Sequence, residues 1–153
     1  GLSVASLSAR KDLRAWKFHL NTDLLVQKSS NAEVLDLPLA TVRATGYFEH
    51  LFIFKKTDGQ LNTQIGAEVL YHTPYYPYSY MPATGRFYRQ DKVQTGNYPF
   101  INVFINLKLR RTRIFVMFDH INSGFMGYNY YLVPTYPMNI RMLRYGLAWT
   151  FYD

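Results

Sequence analysis

Two adjacent acid–histidine pairs, Glu49-His50 and Asp119-His120, are the residues whose types could do general acid–base work. Both fall in stretches that read as β-strand, where neighbouring side chains point to opposite faces. Neither pair can therefore act as a dyad within itself. The four histidines, His19, His50, His72 and His120, lack metal-ligand spacing. The glycines of "GFMGYN" and "TGRFYRQD" have no strand–GxxxxGK–helix context, so they predict no phosphate cradle. Basic residues interleave with aromatics in "GRFYRQDK" and "RMLRYG", a pattern shared by nucleic-acid surfaces and by anionic lipid or solute interfaces. Asn122-Ser123-Gly124 is not a glycosylation acceptor, because its third residue is neither Ser nor Thr. No enzyme activity, catalytic residue, metal site, cofactor or nucleic-acid partner is expected.

A different kind of chemistry is carried by charges and amides at every second position. In "RAWKFHLNTDLLVQK" the even positions are Trp16, Phe18, Leu20, Thr22, Leu24 and Val26, against Lys17, His19, Asn21, Asp23, Leu25 and Gln27. Val42, Ala44, Phe48, Phe52 and Phe54 oppose Thr41, Arg43, Thr45, Tyr47 and Glu49. Leu61, Thr63, Ile65, Ala67, Val69 and Tyr71 oppose Gln60, Asn62, Gln64, Gly66 and Glu68. Ile101, Val103, Ile105, Leu107 and Leu109 oppose Asn102, Phe104, Asn106, Lys108 and Arg110. Ile114, Val116 and Phe118 oppose Arg113, Met117 and Asp119. The closing run sets Leu143, Tyr145, Leu147, Trp149 and Phe151 against Arg144, Gly146, Ala148 and Thr150. Residues 2–10 give no clear period. A period of two is the mark of a strand with one apolar and one polar face.

These runs span about 10 to 15 residues, whereas a typical globular strand has about 5 to 6. A strand crossing a bilayer at its usual tilt needs roughly 9 to 11. Tight turns are predicted at Lys11-Asp12, Lys56-Thr57-Asp58-Gly59 and Arg111-Thr112, and longer links at residues 28–38, 73–98 and 123–141. Short and long links alternate, as in an up-and-down meander whose short turns all lie at one end; outer-membrane barrels are built this way. Trp16 and Trp149 fall near the short-turn end, and Tyr71 with the cluster "YHTPYYPYSYMP" near the other. Aromatic girdles at both interfaces are the barrel expectation.

The chain has 153 residues, 48% of them apolar, and a formal net charge of +7. It carries 14 Tyr, 11 Phe and 2 Trp, an aromatic share of 18%. Without Cys it has no disulfide framework and no thiolate metal site. No apolar run reaches the roughly 18 residues that would argue a membrane helix. Gly1 is not an initiator Met and residues 1–28 show no targeting pattern, so the chain reads as mature or excerpted. About seven strands are predicted. Seven leave two open edges whose backbone groups lipid cannot satisfy. The expectation is an all-β, antiparallel up-and-down transmembrane barrel to which this chain contributes part of the wall. Residues 1–153 would form one C-terminal segment without internal boundary. The missing strands would come from an N-terminal portion or from other copies.

Three stretches, "YSYMPATGRFYRQD", "TGNYPFINVFINLKLRRTRIFVMFDHIN" and "PTYPMNIRMLRYGLAWTFYD", resemble the C-terminal half of the putative porins of Bacteroidetes-type outer membranes. The resemblance covers residues 39–153. It is most specific at Tyr80-Met81-Pro82-Ala83, Gly96-Asn97-Tyr98-Pro99, and Tyr136-Pro137-Met138 followed by Gly146-Leu147-Ala148-Trp149. It implies a β-barrel channel in the bacterial outer membrane, with no cofactor and no residue-level site. Family members are longer, which implies an upstream portion. The last strand, with Tyr145, Gly146, Leu147, Trp149 and Phe151, resembles the signal read by the barrel-assembly machinery. It departs from that pattern at its end, where Asp153 follows Tyr152 in place of a final aromatic.

Function then rests on the polar faces. Lys17, His19, Asn21, Asp23, Arg43, Glu49, Glu68, Asn102, Asn106, Lys108 and Arg144 are the predicted pore-lining residues, with Arg110, Arg113 and Asp119 at the lumen or its rim. Positive charge in a water-filled pore favours anion entry. The expected role is passive diffusion of small hydrophilic solutes, with outer-membrane lipid and lipopolysaccharide outside the wall. Two alternatives stay open: the barrel of a plugged active transporter, and a soluble β-barrel or jelly roll with a Tyr-rich carbohydrate-binding surface.

Overall fold

The computed structural model describes residues 1–54, 59–127 and 130–151. Seven long strands form one antiparallel sheet: β1 (Val4–Ala15), β2 (Phe18–Ser29), β3 (Ala40–Phe54), β4 (Gly59–His72), β7 (Phe100–Leu109), β8 (Thr112–Asp119) and β11 (Met142–Trp149). They lie in the order β1-β2-β3-β4-β7-β8-β11, so every long strand pairs with its sequence neighbour among the long strands. Two small hairpins sit in the links: β5 (Ser79–Met81) with β6 (Arg86–Tyr88), and β9 (Tyr131–Val133) with β10 (Tyr136–Pro137). The sheet is open, with β1 and β11 at its edges.

The strands form because alternation and β-propensity agree along each run. The register then keeps all seven apolar sets on one side. Leu13 faces Leu20, Phe18 faces Phe48, Phe48 faces Ile65, Ile65 faces Ile105, Ile105 faces Val116, and Val116 faces Tyr145. A slip of one residue at any pair would turn one strand's apolar set to the other side. At about 3.3 Å per residue and a tilt of about 45°, ten residues rise roughly 23 Å, near the ~25 Å apolar band of an outer-membrane barrel.

The first hairpin departs from the sequence expectation. Lys11 and Asp12 are not a turn; they lie inside β1, opposite Thr22 and Asn21. The chain reverses at Trp16-Lys17, between Ala15 and Phe18, which face each other. The run from Arg14 to Lys28 is thus two strands meeting at a two-residue turn. Trp16 adopts φ 55°, a left-handed conformation uncommon outside Gly and Asn. The turn carries none of the usual turn residues, so nothing in its composition marked it. Residues 2–10 looked ambiguous because Ser and Ala contrast weakly, and because Lys11 shares the face of Leu7 and Leu13. The same geometry recurs at Arg110-Arg111, between Leu109 and Thr112, with Arg110 at φ 51°. The turn expected at 56–59 falls mostly outside the described residues; Gly59 opens β4 opposite Phe54.

All short connections lie at one end of the sheet, and the links 30–39, 73–99 and 120–141 at the other. The dry core sits under those links, not under the sheet. Its apolar members are Tyr98 and Phe100, and its polar ones Ser79, Thr95, His120 and Asn122. The links are tied together: the Tyr76 amide donates to Asp36 Oδ2 at 2.7 Å, the Tyr78 hydroxyl to the Val34 carbonyl, and Tyr80 packs edge-on to Tyr136.

Candidate functional site

The apolar face is bare. Leu7 keeps 72% of its surface, Tyr145 79%, Leu147 63% and Ile105 42%. Trp16, Phe18 and Phe48 form an aromatic cluster at its short-turn end, with ring centroids 5.2–6.2 Å apart. On strand β11, Tyr145, Leu147 and Trp149 project from this face, and Phe151 stacks on Trp149 just beyond the strand. Gly146 has the opposite parity, where the Phe115 ring covers it at 2.4 Å from the position a Cβ would take.

The other face carries the polar residues, joined across strands. On its long-link half the charges are paired. Arg10 Nε lies 3.5 Å from Asp23. Arg43 donates from Nε and Nη2 to Glu68 Oε2 at 3.0 and 2.7 Å, and Thr45 Oγ1 donates to the same oxygen. Arg144 donates to Asp119 Oδ1 at 2.7 Å and also contacts Oδ2 through Nε. Between these two pairs Asn102 faces Glu68 and accepts the His120 amide at 2.9 Å.

The middle of the face holds amides around one carboxylate. Glu49 accepts from Asn62 Nδ2 at 2.7 Å and lies 3.6 Å from His19 Nε2. His19 stacks flat on Tyr47 at 4.7 Å. Asn106 Nδ2 donates to Gln64 at 3.4 Å. Asn21 lies between Asp12 and Thr45 in the register. The structure thus brings ten of the eleven predicted lining residues onto one face.

Lys17 is placed differently. It sits in the first turn, its ammonium 2.6 Å from His50 Nδ1 and over the Trp16 ring at 4.9 Å. His50 shares the apolar-face parity of Phe48 and Phe52, so this lysine turns toward the outer rim of the sheet. Sequence parity does not reach the charged β1 members of the polar face, Arg10, Asp12 and Arg14, because Lys11-Asp12 reads as a turn.

At the long-link end the third link leans over the polar face. Met138 and Asn139 line a 250 Å³ cleft together with Glu68, Asn102, Asp119 and Arg144. His120, at φ 51°, leaves the strand's alternation and enters the dry core. Burial, with the nearby Tyr130, pushes the Tyr98 hydroxyl pKa upward from its ordinary value. Among the described residues no cluster of His, Cys, Asp or Glu could hold a metal ion. Among the described residues no helix is long and apolar enough to cross a membrane, which does not bear on strands.

A family model described as putative porin matches residues 1–153, extending the resemblance seen over 39–153 to the described N-terminal strands as well. The chain belongs to the putative-porin family. No curated protein and no solved structure matches it. The two-faced sheet divides this porin-family chain's residues into a bare apolar face and a polar face. No acid–base dyad is formed at Glu49-His50: Glu49 stays on the polar face beside His19, and His50 goes to the apolar face with Lys17.

Proposed function

We propose that this chain is part of the wall of an outer-membrane β-barrel that lets small hydrophilic solutes, anions preferentially, diffuse passively through its lumen. The observation that carries this reading is the apolar face that all seven strands share in register, from Leu7 on β1 to Leu147 on β11, while staying exposed. Exposed apolar patches on soluble monomers seldom exceed a few hundred Å², and hydrocarbon is the solvent that suits a surface this wide. Family membership supports the porin role. Strands supplied by the rest of the barrel or by other copies would satisfy the open edges of β1 and β11, since lipid cannot.

The preference for anions follows from the balance of the lining. Its cations Arg10, Arg14, Arg43, Lys108, Arg113 and Arg144 outnumber its acids Asp12, Asp23, Glu49, Glu68 and Asp119 by one, and the excess lies at the short-turn half. The test is a planar-bilayer recording of the full-length protein under a salt gradient. Stepwise conductance with a reversal potential on the anion side is expected. A protein that stays monodisperse in plain buffer and yields no conductance would overturn the proposal.

A further inference from the structure

We infer that the polar face carries a binding site for an oxyanion solute at Lys108 and Arg113, a reading that rests on the diffusion pathway proposed above and makes it specific. These two residues are direct partners across β7 and β8. Facing positions in an antiparallel pair have Cβ atoms about 4.5–5.5 Å apart, and like charges there repel. The remedy used at Arg10, Arg43 and Arg144, a carboxylate within ion-pair reach, is absent here. Arg10, Arg43 and Arg144 each hold an acid, whereas Lys108 and Arg113 have no carboxylate partner among the described residues. Glu49 is the acid nearest in the register, and it is engaged by Asn62 and His19. Both cations are exposed.

The two cations border a cleft of 510 Å³ with Asn62, Gln64, Asn106 and Phe115. Its volume lies within the range of small-molecule sites. The guanidinium of Arg113 presents a fork suited to two oxygens of one anion, and the Lys108 ammonium adds a point charge beside it. Asn106 and Gln64, one row deeper on the same face, offer an amide edge to hydroxyls, and the Phe115 ring forms an apolar wall. The ligand class is therefore a small solute with a doubly charged oxyanion, such as a phosphate ester, whose organic part lies toward Phe115. An anion seated between β7 and β8 converts the repelling pair into a chelate.

The test uses the full-length protein and inorganic phosphate as probe. In detergent, phosphate binding is titrated calorimetrically; in planar bilayers, the chloride current is followed as phosphate is added at constant chloride. Saturable binding is expected, with saturable block of the chloride current. In K108Q/R113Q the half-saturating concentration rises at least about tenfold, because two charge-assisted contacts are lost. Lys108→Arg keeps the affinity. Heat-dependent gel mobility reports whether each variant is folded, and R113Q alone takes the place of the double variant if that one does not fold. Phosphate binding that depends on Lys108 and Arg113 in a protein without conductance would sink the diffusion reading and leave the site standing. A conducting protein in which phosphate neither binds nor blocks, or does so equally in the variants, would overturn the site alone.

Discussion

The hydroxyl of Tyr98 lies 2.8 Å from Nε2 of His120, and the other ring nitrogen, Nδ1, lies 2.7 Å from the Asn139 carbonyl. A carbonyl only accepts, so Nδ1 carries a proton toward Asn139, while Nε2 shares a hydrogen bond with the Tyr98 hydroxyl, which also lies 3.2 Å from the Asn122 carbonyl. One tyrosine thereby joins the end of the second long link, through the histidine after β8, to the third link over the polar face. Asn122 reinforces the joint: its Nδ2 donates to the Pro99 carbonyl at 2.7 Å, and its Oδ1 accepts the Ile101 amide.

Tyr98→Phe should loosen this joint. It leaves the buried Nε2 of His120 and the Asn122 carbonyl without their hydroxyl partner, a loss of about 1–3 kcal/mol. Faster hydrogen exchange is expected in residues 96–99 and 120–127, with the sheet unchanged. The wild type should also show an alkaline transition that the variant lacks. Burial raises the folded-state pKa of Tyr98, so the contribution is complete below the ordinary value of about 10 and is lost as pH rises through the raised one. Exchange measured at neutral and alkaline pH in both proteins checks this; a transition of equal size in the two would refute it.

Neighbouring residues on β7 separate the two faces. Ile105 lies between Ile65 and Val116 on the bare side, and Asn106 between Gln64 and Phe115 on the lined side. Ile105→Arg should cost roughly 2–4 kcal/mol of folding free energy in lipid if it sits near the midplane. Asn106→Arg should fold normally and shift the reversal potential further toward anions. Urea-dependent folding into vesicles measures the first effect and salt-gradient recordings the second. Equal tolerance of both would contradict the face assignment.

The long strands were legible because each satisfies one rule many times over. β3, β4, β7 and β11 hold their alternation for four or more repeats, and length then separated them from ordinary globular strands. β1 was hidden for a local reason: its apolar face is interrupted by Lys11, its polar face begins with Ser6 and Ser8, and its turn uses Trp16 in place of Gly or Asn. Which residues share the polar face was legible through parity alone, since a residue's face follows from its position in the run. Their partners were not. That Glu68 would take Arg43, or that Lys108 would meet Arg113, depends on inter-strand register, which the links set. Lys17 failed the parity rule because a turn residue has no face.

Two glycines on neighbouring strands should respond differently to alanine. A Cβ at Gly66 would meet the Gly46 carbonyl oxygen at 2.4 Å, Tyr47 Cβ at 2.5 Å and the Phe104 ring at 2.8 Å. Two of these are backbone or Cβ atoms that cannot rotate away, and the Phe104 ring covers the gap. Gly66→Ala should therefore destabilise by about 1–3 kcal/mol or more through overpacking. At Gly46 a Cβ meets only Leu20 Cδ1, at 3.8 Å, and Gly46→Ala should be near neutral. Thermal unfolding of the two variants in detergent distinguishes them, and similar midpoints would count against the packing at Gly66.

The last strand allows the assembly role to be separated from the lining role. Leu147 and Trp149 face the bare side opposite Ile114 and Thr112, whereas Ala148 lies between them with the opposite parity, opposite Arg113. If the alternating aromatics and aliphatics of β11 are what the assembly machinery reads, Leu147→Asn with Trp149→Asn should reduce the folded fraction in the outer membrane several-fold. Ala148→Asn should leave that fraction unchanged, because it adds an amide to an already polar face. The folded fraction is read from heat-dependent gel mobility of membrane extracts. A mere loss of lipid contact would impair refolding of the purified protein into vesicles to the same degree as assembly in cells. A specific signal predicts a much larger defect in cells than in vesicles, and equal defects would remove the case for one.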